Sequence, residues 1–262
     1  MTIQRRHYRY MMEKGRFHSF VVTYKQSDLW IGVNPLECTD NLKTFALEEL
    51  IKLRSKIENF ICLHPVFQKS LSPIEIPDRS PDEIKKMIES GNRAGIGPMS
   101  SVAGFFAEYL GHLIEEKFHP DEIIIENGGD IYLNVSNNIT VSVYAGNSPL
   151  SEKVGIKIPA HATPLGICTS SGKIGPSLSS GNADAVVIIS GDTALADALA
   201  TAFGNKVKIP EDIEPALQET EKFTEILSAI MICEDKIGIR GKFEIVALQD
   251  INSAGQFDML AG

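Results

Sequence analysis

Asp197 and Thr201 stand four residues apart in the run from Thr193 to Phe203, where alanine occupies every second position from Ala194 to Ala202. On a helix that spacing puts a carboxylate and a hydroxyl on one face, one turn apart. Both are hard oxygen donors. Mg²⁺ takes one or two protein ligands of this kind and completes its octahedron with water and substrate phosphate. The same pair has a plainer reading, a solvated aspartate and a threonine bonded back to its own helix, and spacing alone leaves both open.

Two further clusters carry chemistry. Cys168 precedes Thr169-Ser170-Ser171-Gly172 at the end of an apolar run. It is either a small core residue or a reactive thiol at the mouth of a site, and with Ser171 it is a candidate nucleophile. Glu126, Asn127 and Asp130 frame Gly128-Gly129 between the apolar runs Ile123–Ile125 and Ile131–Leu133. A hairpin turn explains the glycines, but not three polar side chains gathered around them.

The elements that position these residues follow from the pattern. Leu165–Thr169 and Ala183–Ser190 read as strands without alternation, as strands covered on both faces do. A polar, glycine-rich connection over Ser170–Asn182 joins them. Asp192 sits where an N-cap belongs, and Thr193–Phe203 is the helix behind it. Its small residues let it lie close against a sheet or a ligand.

In order and spacing these segments resemble the signature of the ApbE-type flavin transferases: Thr-Ser-Ser-Gly, a glycine-rich connection, a β-run, then Ala-Asp-Ala-Leu-Ala-Thr-Ala. Ser100–Leu110 (SSVAGFFAEYL) is similar to the superfamily's AKGYAVD helix, and Ile123–Asn134 (IIIENGGDIYLN) to its strand and NAGGD turn. A strand pair around Val141–Ile158 fills the interval before Thr169, and the likeness covers Asn92–Asn205. It implies an α+β fold of the ApbE-like, T-fold-like kind, with antiparallel or mixed sheets and helices packed on them. It also implies that Asp197 and Thr201, with the Val102 carbonyl, hold Mg²⁺ beside the pyrophosphate of FAD. Asn127, Gly128, Gly129 and Asp130, with Thr169, Ser170, Ser171 and Gly172, are then the residues at the FAD or FMN.

The chain departs from that signature in three positions or stretches. Ala103 stands where the superfamily has lysine, and Glu108 where it has aspartate. The interval Lys173–Gly181 lacks the histidine and aspartate of an H-x-x-D-P-x-T-G segment. The resemblance therefore narrows to a short branch of the superfamily found in methanogenic archaea and other anaerobes, associated with sulfide assimilation and homocysteine formation. It implies binding of a phosphate-bearing ligand rather than FMN transfer proper.

Composition bounds the rest. With 43% hydrophobic and 23% charged residues the chain is of ordinary globular type, and 262 residues suit one sizeable core over residues 1–262, with a frayed tail at 250–262. The net charge of −9, with Arg-Arg-His-Tyr-Arg near the start as the one basic cluster, argues against nucleic acid as a partner. Cys38, Cys62, Cys168 and Cys233 have neither CxxC nor zinc spacing and read as reduced thiols. No run reaches membrane-spanning length and the first residues have no apolar signal core, so a cytoplasmic protein is expected, away from membranes.

In chain order, Arg6–Met12 and Phe17–Tyr24 alternate as a hairpin around Glu13-Lys14-Gly15, and Leu29–Val33 follows as a strand. Thr44–Cys62 has one apolar helical face, and Leu63–Arg79, with three prolines, is an irregular crossing. A helix starts at Pro81 and stops at Ser90-Gly91. Gly95-Ile96-Gly97-Pro98 leads into a helix from Met99 to Phe118, with Ser100 and Ser101 in its first turn; this is an anion site or a tight turn. Asn137-Asn138 is a hairpin turn to a strand at Ile139–Tyr144, and Glu152–Ile158 continues that sheet. Pro210–Ala216 is a connector, Glu219–Met231 an amphipathic helix, and Lys236–Gly241 and Phe243–Leu248 are strands.

Function classes remain plural on this evidence, enzyme or binding protein. One is a small-molecule binder using Mg²⁺. Another is a sulfur carrier at Cys168 or another thiol, with a protein partner in sulfur metabolism. The third is a non-catalytic subunit, which also makes a homo-oligomer an expectation.

Overall fold

The computed structural model describes residues 15–173, 181–248 and 259–261. The expected hairpin arm Arg6–Met12 and residues 174–180 of the connection lie outside them. In chain order the elements are β1 (His18–Tyr24), β2 (Ser27–Val33), α1 (Asp40–Leu63), α2 (Val66–Lys69), α3 (Asp82–Ala94) and α4 (Val102–Phe118). Then come β3 (Ile123–Asn127), β4 (Asp130–Asn134), β5 (Ile139–Val143), β6 (Val154–Ile158), β7 (Leu165–Ser170), β8 (Ala185–Ser190) and α5 (Thr193–Gly204). The last are α6 (Ile213–Glu219), β9 (Ile226–Cys233), β10 (Lys236–Gly241), β11 (Glu244–Ala247) and β12 (Met259–Ala261).

Eight strands form an antiparallel sheet in the order β1-β2-β3-β4-β7-β8-β9-β10, and a second sheet runs β11-β6-β5-β12 with β12 parallel to β5. One face of the large sheet packs on the small one through Ile124, Ile131, Ile167, Val187 and Ile230 against Val141 and Ile156. The other face carries the helices, with Ile125 and Tyr132 meeting Leu50, Ile88 and Leu110, and Ile188 and Met231 meeting Leu195 and Leu199. Each such buried side chain contributes roughly 1.5–3 kcal/mol. This is the α+β architecture expected, and a sheet covered on both faces explains why β7 and β8 read as unbroken apolar runs.

Several boundaries differ from the sequence reading, each for a physical reason. Of the expected helix over Glu219–Met231, Glu219 ends α6, Thr220–Lys222 is a 3₁₀ turn, and from Ile226 the chain is β9, a strand between β8 and β10. Phe223, Ile226, Leu227 and Ile230 mimic helical spacing, but burial on both faces suits the continuous Ile-Leu-Ser-Ala-Ile-Met-Ile-Cys run as a strand. The expected connector Pro210–Ala216 contains the start of α6, whose Pro215 falls in the first turn, where a missing N–H does no harm.

The helix α3 continues past Ser90-Gly91 to Ala94 and ends on Gly95, in the left-handed region at φ 76°. Pro98–Ser101 is a 3₁₀ turn, so α4 begins at Val102 rather than Met99. Asn137-Asn138 is not a hairpin turn, since β4 and β5 belong to different sheets. The chain crosses there under a clamp in which Glu122 accepts the Ser136 and Asn137 amides at 3.0 Å each, while Arg16 donates to Glu122 and to the Asn137 carbonyl. Of the tail 250–262, only Met259–Ala261 falls within the described residues. No helix among the described residues is long and apolar enough to cross a membrane.

Candidate functional site

Asp192 opens α5 as the sequence requires, its carboxylate accepting the Leu195 amide at 3.0 Å. Lys86 of α3 holds the other oxygen of that carboxylate at 2.6 Å. One turn into α5, Asp197 points away from solvent, 8% exposed, and into the first turn of α4. Its Oδ2 accepts the Gly104 amide at 2.8 Å, and the Ala103 amide donates to the same carboxylate. A carboxylate at the positive end of a helix is stabilised by unpaired amides and by the helix dipole. The side chains of Ser100 and Ser101 turn back to the carbonyls of Gly97 and Pro98 at 2.6 and 2.9 Å. Of the two readings left open here, the tight turn is present as the 3₁₀ turn Pro98–Ser101, and the amides at the helix end take the protein's own Asp197 carboxylate.

The double-glycine turn arrives from the sheet. Gly128 and Gly129 take φ of 72° and 104°, which a two-residue hairpin turn needs and glycine supplies without strain. Glu126 accepts the Gly129 amide at 2.8 Å, and Asn127 Nδ2 donates to the Ala103 carbonyl at 3.0 Å. The turn is thus tied to the same first turn of α4 that Asp197 caps. Asp130, the first residue of β4, accepts the Thr169 amide at 3.3 Å. Cys168, on the neighbouring β7, lies within hydrogen-bond reach of Asp130 and 3.4 Å from the Thr193 carbonyl.

Charge is concentrated here. Burial pushes Asp197 from 3.8 up to about 7, although the Gly104 and Ala103 amides pull the other way. Burial, and then the charge of the Asp197 carboxylate, raise Asp130 well above the usual carboxylate range. Burial followed by Asp130 and Asp197 likewise raises the Cys168 thiol. That environment holds Cys168 as a thiol and gives no support to it as a thiolate nucleophile. Ser171 accepts the Lys173 amide at 3.1 Å and contacts the Ala183 carbonyl at 3.4 Å, so its hydroxyl shapes the loop. Gly172 donates to Ala183 at 3.0 Å, and a methyl on it would strike the Gly181 carbonyl.

The structure brings Asn127 and Asp197 to the first turn of α4, where Val102 begins the helix, ties Asp130 of β4 to Thr169 of β7, and bonds Ser171 and Gly172 to the Ala183 carbonyl. Thr201 is half-buried one turn beyond Asp197, and Ser170 ends β7. The Thr169 hydroxyl is buried without a hydrogen-bond partner among the described residues. No group of three His, Cys, Asp or Glu gathers to hold a metal among the described residues. The donors near the carboxylate pair are hard oxygens, the type Mg²⁺ uses in small numbers.

Two residues that position the site are not among the candidate site residues read from the sequence, although Glu108 is noted there as a departure from the superfamily's aspartate. Gly104 lies inside a helix, where glycine is disfavoured, and that is the signal that could have singled it out. Glu108 Oε1 accepts the Thr193 amide at 3.0 Å, at the start of α5.

Residues 9–233 match the protein family described as AbpE bacteria. The chain is 38% identical over 235 residues to a UPF0280 protein of Methanococcus maripaludis strain C6, covering 87% of this chain and 92% of that one. It is 37% identical over 215 residues to a UPF0280 protein of Methanosarcina barkeri strain Fusaro, covering 81% and 84%. In fold it is similar to the apo form of the Pseudomonas stutzeri flavinyl transferase ApbE, with TM-score 0.55, 10% identity, and 86% and 94% of the two chains covered. The flavin transferase ApbE from Vibrio cholerae is similar too, with TM-score 0.51, 14% identity, and 89% and 98% covered.

Proposed function

The chain belongs to the family described as AbpE bacteria, and from that premise we propose that it binds a phosphate-bearing flavin or other nucleotide together with Mg²⁺. The observation that carries this reading is the buried Asp197 carboxylate at the first turn of α4, near enough to the buried Asp130 for its charge to raise that carboxyl. Burial acts most strongly on both carboxylates; the Gly104 and Ala103 amides oppose it at Asp197, and the Asp197 carboxylate adds to it at Asp130. Two carboxylates so placed retain a proton or take a cation. The hard-oxygen set of Asp197, Asp130, the Val102 carbonyl and the Thr201 hydroxyl suits Mg²⁺. When bound, that ion supplies positive charge to the phosphates of the nucleotide.

The rest of the site belongs to this chain. Gly104, through Oδ2, and Ala103 hold the Asp197 carboxylate in place. Asn127 holds the double-glycine turn against α4. FMN transfer to a protein acceptor is not part of the proposal. Ala103 offers only backbone where the ApbE-type transferases carry lysine, and Lys173–Gly181 contains neither histidine nor aspartate. A sulfur-carrier role at Cys168 is not favoured either, because that thiol is fully buried among carboxylates.

Calorimetric titration of the purified protein with FAD, with and without Mg²⁺, tests the reading. FAD binding that depends on Mg²⁺ and weakens at least about tenfold in Asp197→Asn is the expected result. Absence of binding for FAD, FMN and ADP alike, in the presence of Mg²⁺, sinks it.

A further inference from the structure

The helices α4 and α5 run in opposite directions with their N-termini overlapping. Gly104 lies against Asp197, and one turn along α4 Glu108 lies against Thr193, one turn back along α5. Each helix therefore receives a carboxylate from the other at its own positive end. Asp197 of α5 caps α4 through Gly104, and Glu108 of α4 caps α5 through Thr193. Two like-signed helix ends repel when brought together, and a carboxylate from each partner offsets that repulsion. Contact is close: a methyl on Gly104 would lie 2.6 Å from the Thr193 carbonyl.

We infer that Glu108 is a positioning residue whose bond to the Thr193 amide holds α5 in the register that aims Asp197 at the site. Thr193 is fully buried, so its amide has no water to turn to if Glu108 is removed. Asp192 already caps the neighbouring Leu195 amide and is itself held by Lys86. With the Thr193 amide unpaired, the first turn of α5 shifts or frays. Asp197 sits one turn further on and moves with it, loosening its bond to Gly104. The bond geometry stands by itself, but its consequence for ligand binding rests on the reading of Asp197 as a cation ligand.

Hydrogen exchange of the ligand-free protein reads the first arm, and titration with Mn²⁺ alone reads the second. In Glu108→Ala, exchange at the Gly104 amide is expected to rise at least about tenfold relative to the Ile188 amide of β8, which reports global opening. Glu108→Gln keeps an acceptor oxygen for Thr193 and is expected to restore Gly104 protection to within about threefold of wild type. The Mn²⁺ dissociation constant is expected to follow the same order, about tenfold weaker for Ala and near wild type for Gln. Thr39→Ala removes the remote cap of α1 and serves as the control for general destabilisation. Faster exchange at Thr193 alone, with Gly104 still protected in Glu108→Ala, overturns the inference and leaves the cation reading standing. Mn²⁺ binding that survives Asp197→Asn overturns the cation reading, while the Gly104 exchange rates still decide the role of Glu108.

Discussion

The Gly104 amide donates to Asp197 Oδ2 at 2.8 Å, and a methyl built on Gly104 would fall 2.8 Å from Asp197 Cβ. One residue thus supplies both the hydrogen bond that orients the carboxylate and the empty space that lets α5 approach. Packing and electrostatics meet at a single Cα. The same closeness makes the position sensitive to one added carbon.

Gly104→Ala forces α4 and α5 apart, because the added methyl would meet the Thr193 backbone and the Asp197 Cβ rather than the flexible end of a side chain. Helix propensity alone would favour alanine by up to about 1 kcal/mol, yet overpacking costs about 1–3 kcal/mol and wins. Urea denaturation is expected to return a net loss of stability. A gain would mean that the two helices are not in contact at Gly104.

Divalent ion binding is expected to depend on pH through Asp197. In the folded protein this carboxyl keeps its proton up to about pH 7, whereas an ordinary aspartate releases it near 3.8. The stability that this group contributes is full below about pH 4 and is lost as pH rises from there to about 7, with a slope of up to about 1.4 kcal/mol per unit. Ion binding needs the ionised form and runs the opposite way. Mn²⁺ affinity is expected to rise by up to about tenfold per pH unit through this window and level off above it. Calorimetry across pH 5–8 measures it, and an affinity flat over that range contradicts the assignment.

Thiol accessibility gives a third outcome. Cys62 is exposed on α1, while Cys168 and Cys233 are buried in the sheet. Iodoacetamide followed by peptide mass spectrometry is expected to label Cys62 in the native protein and Cys168 only after unfolding, because the reactive species is an accessible thiolate. Prompt native labelling of Cys168 would reopen the sulfur-carrier reading.

The clamp at the sheet crossing is expected to fail in acid. Burial alone would raise Glu122, but Arg16 on both carboxylate oxygens and the Ser136 and Asn137 groups outweigh it and lower Glu122 to about 2. Its stabilising contribution is present above about 4.5 and lost as pH falls from there towards 2. Glu122→Gln is expected to cost about 2–3 kcal/mol at neutral pH, with the difference from wild type shrinking through the acid range. Denaturation curves at several pH values decide it.

Much of the fold was legible because its signals are local. Asp192 announced α5, Gly128-Gly129 announced the β3–β4 hairpin, and the covered strands β7 and β8 read as apolar runs. The failures share a different cause. Around β9 the residues Phe223, Ile226, Leu227 and Ile230 satisfy a helical period, yet pairing with β8 and β10 makes Ile226–Cys233 a strand. The turn at Asn137-Asn138 looks like any hairpin until β5 is seen in the second sheet. Neither outcome is encoded within a short window, because both depend on residues distant along the chain.

For the site the division is similar. The chain alone singled out the candidates, since the one-turn spacing of Asp197 and Thr201 and the polar frame of the glycine turn are properties of adjacent letters. Tertiary structure decided that Asp197 caps α4, that its charge reaches Asp130 of β4, and that Glu108 returns the cap to α5. Those relations join residues 67 to 93 positions apart, and only the packing of helix on sheet brings such carboxylates close enough to change one another's affinity for a proton.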